Sequence, residues 1–118
     1  MTDEITLYHN PRCSKSRQAL QLLRDRGVEP HIVEYLKTPP TTEEIERLLK
    51  LLGLEPRELM RRKESEYRDL GLDDPARSDD ELIAAMHANP RLIERPIAVS
   101  GDQAAIGRPP ENVLDLLP

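Results

Sequence analysis

The chain has 118 residues and a formal net charge of −5, and it contains neither Phe nor Trp. This length suits one compact domain that buries roughly two-thirds of its unfolded surface around aliphatic side chains. The acidic charge argues against general binding to phosphate backbones, and no apolar run approaches the ~20 residues of a membrane span, so we expect neither nucleic acid nor membrane as a partner.

The N-terminal sequence bears on the location of the protein, and the cysteine content bears on its sulfur chemistry. The first residues include Asp3 and Glu4 and lack the basic start and apolar stretch of a signal peptide, so we expect a cytoplasmic protein. Cys13 is the single cysteine. It is therefore either an inert thiol or one that finds its sulfur partner on another molecule.

The first third of the chain predicts a βαβ unit. Residues 4–9 alternate apolar and polar side chains before the turn sequence Asn-Pro-Arg, which indicates a strand that ends in a loop. Residues 14–26 place their apolar side chains on one helical face, and Gly27 follows where a helix commonly ends. Residues 30–36 carry β-branched and aromatic side chains between prolines, which predicts a second strand.

The middle of the chain predicts helices alone. Each has a recognisable start, either a hydroxyl residue that caps the first turn or a proline in that turn. The predicted helices are 42–52 with Thr41 or Thr42 as cap and Gly53 as stop, 55–63 with Pro56 near its start, and a helix from the cap Ser78 to before Pro90.

The last part predicts a hairpin and a final helix. Residues 96–107 form two short apolar runs around Gly101-Asp102, and residues 109–117 return to helical spacing. The order predicts a thioredoxin-like α/β fold, in which helices flank a mixed four-stranded sheet and a helical insertion separates the βαβ and ββα halves. No repeat or flexible linker divides the chain, so we expect a single domain over 1–118.

Cys13 lies at the predicted strand-to-helix turn with cations around it. Unpaired backbone N–H groups and the helix dipole stabilise a thiolate at a helix start. Arg17 can share a helix face with Cys13, and Arg12, Lys15 and His9 add positive charge. This setting favours the thiolate, and we expect Cys13 to be at least partly exposed.

Neighbouring polar groups suggest an anion site, although another interpretation exists. Ser14 and Ser16 can cap the helix or donate to sulfur, and Asn10 or the N–H groups of the loop could hold an oxyanion. Alternatively, Cys13 is a buried small side chain, as free cysteines commonly are. The closed loop of low-molecular-weight phosphatases is absent, because Cys13 and Arg17 are separated by three residues rather than five.

Four separated motifs together resemble one known family across almost the whole chain. They are "YHNPRCSKSR", "ELMRRKESEY", "LIERPIAV" and "IGRPPE". In this order they resemble the glutaredoxin-coupled arsenate reductases. The resemblance implies a thioredoxin-like fold with a helical insertion and a catalytic cysteine in the first loop, which is Cys13. It also implies that His9 lies near the thiolate and that Pro96 follows a cis peptide bond.

The resemblance further implies arginines that hold the oxyanion. One ends a helix in the inserted region, and two precede prolines, at the third strand and after the hairpin; they match Arg61, Arg95 and Arg108. Arg62 could replace Arg61 after a one-residue misalignment. A planar guanidinium that binds two oxygens at once suits a tetrahedral oxyanion, so we expect Arg95 and Arg108 to point toward Cys13.

The implied reaction is reduction of arsenate to arsenite through a Cys13 adduct. Glutathione serves as co-substrate, a glutaredoxin completes turnover, and no cofactor stays bound. No spacing of histidine, cysteine and carboxylate residues predicts a metal site, and we expect His31 and His87 to be ordinary strand and helix residues.

Departures from the family pattern leave two alternatives. Ser14 and Lys15 differ from the smaller residues of dedicated resistance enzymes, and the chain stops at Pro118, where those enzymes carry a further tail. The chain is therefore closer to chromosomal relatives. One alternative is a monothiol glutaredoxin-like protein acting on glutathionylated substrates. The other is a non-catalytic Spx-like binding module, although Ser16 stands where those regulators carry a second cysteine.

Overall fold

A computed structural model describes residues 4–117, which form two compact units. The first unit combines residues 4–38 with residues 95–117, and the second comprises residues 39–94. The second unit is therefore inserted into the sequence of the first.

The first unit comprises β1 (Ile5–His9), α1 (Ser14–Asp25), β2 (His31–Glu34), β3 (Ile97–Ser100), β4 (Gln103–Ile106) and a 3₁₀ helix (Pro110–Leu116). The strands form a mixed four-stranded sheet in the order β2-β1-β3-β4. Strand β1 pairs in parallel with β2 and antiparallel with β3, which in turn pairs antiparallel with β4. The predicted mixed sheet of a thioredoxin-like fold is confirmed.

The core of this unit joins both parts of its sequence. Strand β1 buries alternate side chains, as the sequence pattern predicts for a strand with one face on a core. The buried cluster consists of Ile5 and Leu7 from β1, Ala19 and Leu23 from α1, Ala98 from β3, and Val113 from the 3₁₀ helix. Burial of these aliphatic side chains drives the assembly of the unit.

The register of the strands brings three loops to one end of the sheet. Tyr8 pairs with Ile97, and Ile97 pairs with Ile106. The end of β1, the start of β3 and the end of β4 therefore lie side by side. The segments next to these three positions are 10–13, 95–96 and 107–108.

The second unit is helical, and capping defines its longer helices. Thr41 and Ser78 each form a capping box, in which the hydroxyl accepts the N–H of a glutamate three residues later. Thr41 rather than Thr42 is thus the cap of the first helix. The helices are α2 (Thr42–Leu52), α3 (Pro56–Leu59), α4 (Ser65–Asp69) and α5 (Asp79–Ala88), followed by a 3₁₀ turn (Pro90–Leu92).

Three elements differ from the sequence-based predictions. Helix α3 ends at Leu59 because Met60 adopts an extended conformation and forms a β-bridge with Ile93. Helix α4 is not predicted from the sequence, and the C-terminal helix is of the 3₁₀ type. Within residues 4–117, no helix combines the length and the apolar character needed to cross a bilayer.

Candidate functional site

The loop between β1 and α1 is organised by Asn10. Its backbone N–H donates to Ser16 Oγ at 3.0 Å. Its side-chain Oδ1 accepts the N–H of Arg12 at 3.0 Å, and its backbone oxygen accepts the N–H of Cys13 at 3.0 Å. These two loop N–H groups are engaged inside the loop, so backbone donors for an oxyanion would have to come from the first turn of α1.

Cys13 is the N-cap residue of α1. Its backbone is extended, with φ −93° and ψ 123°, and its carbonyl accepts the N–H of Arg17 at 3.0 Å. No side-chain hydrogen bond caps this helix, so of the two roles that the sequence allows for Ser14 and Ser16, capping the helix or donating to sulfur, capping is not observed. The expectation of a partly exposed thiol is also wrong, because Cys13 is buried with 8% of its surface exposed.

His9 and Ser16 form a buried polar pair beside this junction. His9 Nδ1 lies 2.6 Å from Ser16 Oγ, and the two residues are 6% and 0% exposed. Burial lowers the pKa of His9 below 6.5, and Arg24 and Arg17 lower it further, while Glu34 opposes them. His9 is therefore neutral near pH 7, and the expectation that it adds positive charge around Cys13 is wrong.

The positive charge next to Cys13 comes from side chains at the surface. Arg12, Lys15 and Arg17 are exposed. The Nη1 of Arg17 donates to the carbonyl oxygen of Pro11 at 3.0 Å, which holds the guanidinium against the loop that leads to Cys13.

Arg95 and Arg108 are linked at the same end of the sheet. Arg108 Nε donates to the backbone oxygen of Arg95 at 2.9 Å, and the Nε and Nη1 atoms of Arg95 are buried. Both arginines precede cis peptide bonds. The cis bond before Pro96, which the resemblance implies, is confirmed; the one before Pro109 is not anticipated.

Gly107 holds the two arginine segments together, a role that the sequence analysis does not anticipate. Its N–H donates to the backbone oxygen of Pro96 at 2.8 Å. A Cβ at this position would lie 2.7 Å from Pro96 Cγ and 3.2 Å from Val113 Cγ1. Only a residue without a side chain fits there without displacing its neighbours.

Arg61 belongs to the second unit, and carboxylates surround it there. Its Nη1 lies 2.6 Å from Glu64 Oε1, and its Nε lies 3.9 Å from Glu94 Oε1. The expectation that Arg61 ends a helix is wrong, because α3 ends at Leu59. Arg62 is exposed and donates from Nε to a backbone oxygen at 3.4 Å. The spacing of three residues indicates Glu64 as an ion-pair partner of Arg61 from the sequence alone. Glu94 is distant in sequence, and only the fold brings it close to Arg61.

The remaining histidines have ordinary surroundings. His31 lies exposed on β2, and His87, on α5, places Nδ1 2.8 Å from the carbonyl oxygen of Pro40. Across residues 4–117, no three side chains of the His, Cys, Asp or Glu type are grouped so that they could hold a metal ion.

The first unit therefore gathers most of the candidate residues through its own register and hydrogen bonds. Two groups meet at one end of the sheet: the β1–α1 junction with Cys13, and the paired segments that carry Arg95 and Arg108. The junction group also includes His9, Asn10, Ser16 and Arg17, and the second group includes Pro96.

Comparison with known proteins gives matches that span nearly the whole chain. Residues 8–116 match the ArsC family. The chain is 46% identical over 114 residues to an arsenate reductase of Rhizobium meliloti strain 1021, covering 97% of this chain and 81% of that protein. It is 52% identical over 118 residues to the uncharacterized protein YfgD of Escherichia coli K12, covering 99% of each. Its fold matches an arsenate reductase from Vibrio cholerae with a TM-score of 0.96 and 51% identity, over 99% of this chain and 100% of that one.

Proposed function

The chain belongs to the ArsC family, and from this membership we propose that it reduces arsenate to arsenite through a Cys13 thiolate adduct. The observation that carries the proposal is the position of Cys13. Cys13 is the N-cap residue of α1, and it lies at the end of the sheet where the Arg108 side chain donates to the backbone oxygen of Arg95. The names of the Rhizobium and Vibrio relatives support arsenate as the substrate.

Arginines supply the charge that an arsenate ion needs. A guanidinium presents paired donors that match two oxygens of a tetrahedral oxyanion, and positive charge offsets the negative charge that builds up as sulfur attacks. We assign this role to Arg95 and Arg108. Arg61 is a third candidate from the family resemblance, and the carboxylates of Glu64 and Glu94 already offset part of its charge.

The proposed reaction needs a second thiol from outside the chain. The Cys13 thiolate attacks arsenic, an S–As bond forms, and one arsenate oxygen leaves as water. A glutathione thiolate then attacks the Cys13 sulfur. The S–S bond forms, the S–As bond breaks, and its electron pair stays on arsenic, which leaves as arsenite. Because Cys13 is the single cysteine, the resulting glutathione disulfide has no internal resolving thiol.

A glutaredoxin completes the proposed cycle. Its thiolate attacks the glutathione sulfur of the mixed disulfide and restores Cys13. Glutathione keeps thiols reduced in the cytosol, so this chemistry fits the cytoplasmic location expected from the sequence. We assign supporting roles to the neighbouring residues: Asn10 fixes the loop, His9 and Ser16 pair at the junction, and Arg17 adds charge. Pro96, which follows the cis bond after Arg95, is assigned to position that arginine.

A coupled assay tests the proposal. We expect arsenite to form only when arsenate, glutathione and a glutaredoxin are all supplied, because one thiol forms the adduct but cannot finish turnover. Cys13→Ser should abolish the activity by removing the nucleophile, whereas Arg68→Ala, an exposed change on α4, should retain it. Arsenite is measured against the background that glutathione alone produces.

The arginine variants test how the oxyanion is held. Arg95→Ala and Arg108→Ala should each lower kcat/KM for arsenate. If the charge acts in the transition state, the loss should correspond to about 2–4 kcal/mol of transition-state stabilisation. Arg62→Ala should cost less than Arg61→Ala. Full activity in either the Arg95 or the Arg108 variant would remove that residue from the site.

Two results would favour another function. If the wild type gives no arsenite above background but removes glutathione from a model peptide through Cys13, the monothiol glutaredoxin-like alternative is the better account. If it does neither and binds a protein partner stably, the non-catalytic binding module is favoured.

A further inference from the structure

Backbone contacts fix the main chain at Arg61 within the second unit. The N–H of Arg61 donates to the backbone oxygen of Leu92 at 2.7 Å, and the carbonyl oxygen of Arg61 accepts the N–H of Glu64 at 3.2 Å. Next to Arg61, Met60 pairs with Ile93 in a β-bridge, and both side chains are buried. The backbone of Arg61 is therefore held on both sides, whereas its long side chain needs a partner of its own to keep one orientation.

Glu64 is this partner, and it is shared by two arginines. Its Oε1 lies 2.6 Å from Arg61 Nη1, and its Oε2 accepts from Arg91 Nη2 at 3.0 Å. The Glu64 side chain is 15% exposed, compared with 24% for Glu66 and 27% for Glu94. A carboxylate that is withdrawn from water in this way needs compensating cations, and here each oxygen faces its own guanidinium.

Glu64 is also the N-cap residue of α4, but its carboxylate does not cap that helix. Side chains at this position commonly accept an N–H from the first turn of the helix. Glu64 makes no such hydrogen bond, and its carboxylate contacts the two arginines instead. Glu64→Gln therefore removes the contact with Arg61 without removing a cap from α4.

The contacts of Arg61 leave one nitrogen of its guanidinium available. Nη1 faces Glu64, and Nε lies 3.9 Å from Glu94 Oε1. Within the described residues 4–117, no ion pair or hydrogen bond engages Nη2, and the side chain is 27% exposed. Because the guanidinium is planar and rigid, holding it on the side of Nη1 and Nε also sets the direction of Nη2.

We propose that Glu64 is a positioning residue, whose carboxylate fixes the guanidinium of Arg61 so that Nη2 can bind an arsenate oxygen. This inference rests on the proposed function, which names Arg61 as a candidate ligand of arsenate, and it adds the residue that orients that ligand. Arg91 supports the arrangement by holding the second oxygen of Glu64. In this arrangement Glu64 acts only through Arg61.

Charge and positioning predict opposite effects of Glu64→Gln on arsenate binding. The variant removes a negative charge beside Arg61, so charge alone would favour the anion and lower the KM for arsenate. Loss of the ion pair also leaves the guanidinium without a fixed orientation, and arsenate then has to order a long side chain when it binds. Positioning therefore predicts a KM that is about three- to tenfold higher.

Two further variants separate this effect from a general structural one. In an Arg61→Ala background, Glu64→Gln should leave the KM unchanged, because no guanidinium remains to be oriented. Glu66→Gln is the matched control, since it removes the same charge from a residue that lies 3.7 Å from Arg91 rather than beside Arg61. It should keep the wild-type KM.

The orientation of Arg61 can also be measured without arsenate. NMR of isotope-labelled protein follows the rotation of the guanidinium about its Nε–Cζ bond, and the Arg61 signal is assigned by its loss in Arg61→Lys. Glu64→Gln should speed this rotation about five- to thirtyfold, because the partner that holds Nη1 loses its charge. Glu66→Gln should leave the rotation of Arg61 unchanged.

The proposal is overturned if Glu64→Gln lowers the KM, if Glu66→Gln raises it equally, or if Glu64→Gln leaves the rotation of Arg61 unchanged. Faster rotation in a protein that forms no arsenite would support the positioning of Arg61 by Glu64 and reject arsenate reduction. Arsenite formation with unchanged rotation would support the proposed function and overturn this inference.

Discussion

His9 shows how burial decides the charge of a single residue. Its position beside Cys13 suggests a cation, but its ring is buried against Ser16 at the end of β1. Burial disfavours the charged form and lowers the pKa of His9 below 6.5, and the two arginines Arg24 and Arg17 act in the same direction. The positive charge at the junction therefore belongs to exposed arginine and lysine side chains.

The lowered pKa of His9 predicts a pH-dependent stability. Between 6.5 and the lower pKa of the folded state, the unfolded chain binds more protons, so the free energy of unfolding falls as the pH drops through this window. Chemical unfolding from a pH of about 8 to about 5.5 should show this decline. His9→Gln should flatten it, whereas His31→Gln, an exposed change on β2, should keep the wild-type slope. Equal slopes in the wild type and the His9 variant would contradict the assignment.

At the scale of elements, the ends of strands position the candidate site. The register joins β1, β3 and β4 so that their neighbouring loops share one end of the sheet. Gly107 follows β4 and packs directly on Pro96, which precedes β3. This close contact sets the spacing between the backbone segments of Arg95 and Arg108.

Gly107→Ala should therefore disturb both stability and the proposed oxyanion site. The new Cβ would lie 2.7 Å from Pro96 Cγ, and Pro96 is fully buried and cannot move freely. We expect a loss of about 1–3 kcal/mol in the free energy of unfolding and a higher KM for arsenate, because Arg108 is displaced.

Gly27→Ala provides the comparison for this variant. Gly27 has φ +79° with open space around its Cβ position, so alanine there costs about 1–2 kcal/mol of backbone strain without a clash. It should lower the stability and leave the KM for arsenate unchanged. If both variants change the KM equally, Gly107 has no special role in positioning Arg108.

At the scale of the whole molecule, the chain forms its first unit from two distant stretches. Residues 39–94 make up the second unit, and the sequence on either side of them contributes to the four-stranded sheet. Leu7 lies at the centre of this arrangement, opposite Ile32 of β2 and Ala98 of β3. The first unit therefore depends on contacts between residues that are far apart in the chain.

Leu7→Ala tests this dependence. Leu7 is fully buried in the core cluster, so we expect a loss of about 2–5 kcal/mol in the free energy of unfolding, measured by urea titration. Leu36→Ala removes the same atoms from a side chain that is 39% exposed and should change stability by less than about 0.5 kcal/mol. Similar losses in the two variants would show that the core cluster does not anchor the unit.

Local patterns were enough to predict most of the fold and the place of the candidate nucleophile. Alternation and turn residues predicted β1 and the hairpin, and helical spacing with capping residues predicted α1, α2 and α5. These signals lie within a few residues of the element they define. The single cysteine likewise means, without knowledge of the fold, that any thiol that resolves a Cys13 adduct has to come from another molecule.

Tertiary contacts decided the features that depend on residues distant in sequence. Helix α3 ends early because Met60 pairs with Ile93, and Arg61 is held by Glu94 as well as by its sequence neighbour Glu64. The burial that keeps His9 neutral and the packing that requires a glycine at position 107 also depend on elements from separate parts of the chain. Sequence spacing carries no information about such contacts, because they are set by strand register and by the packing of a shared core.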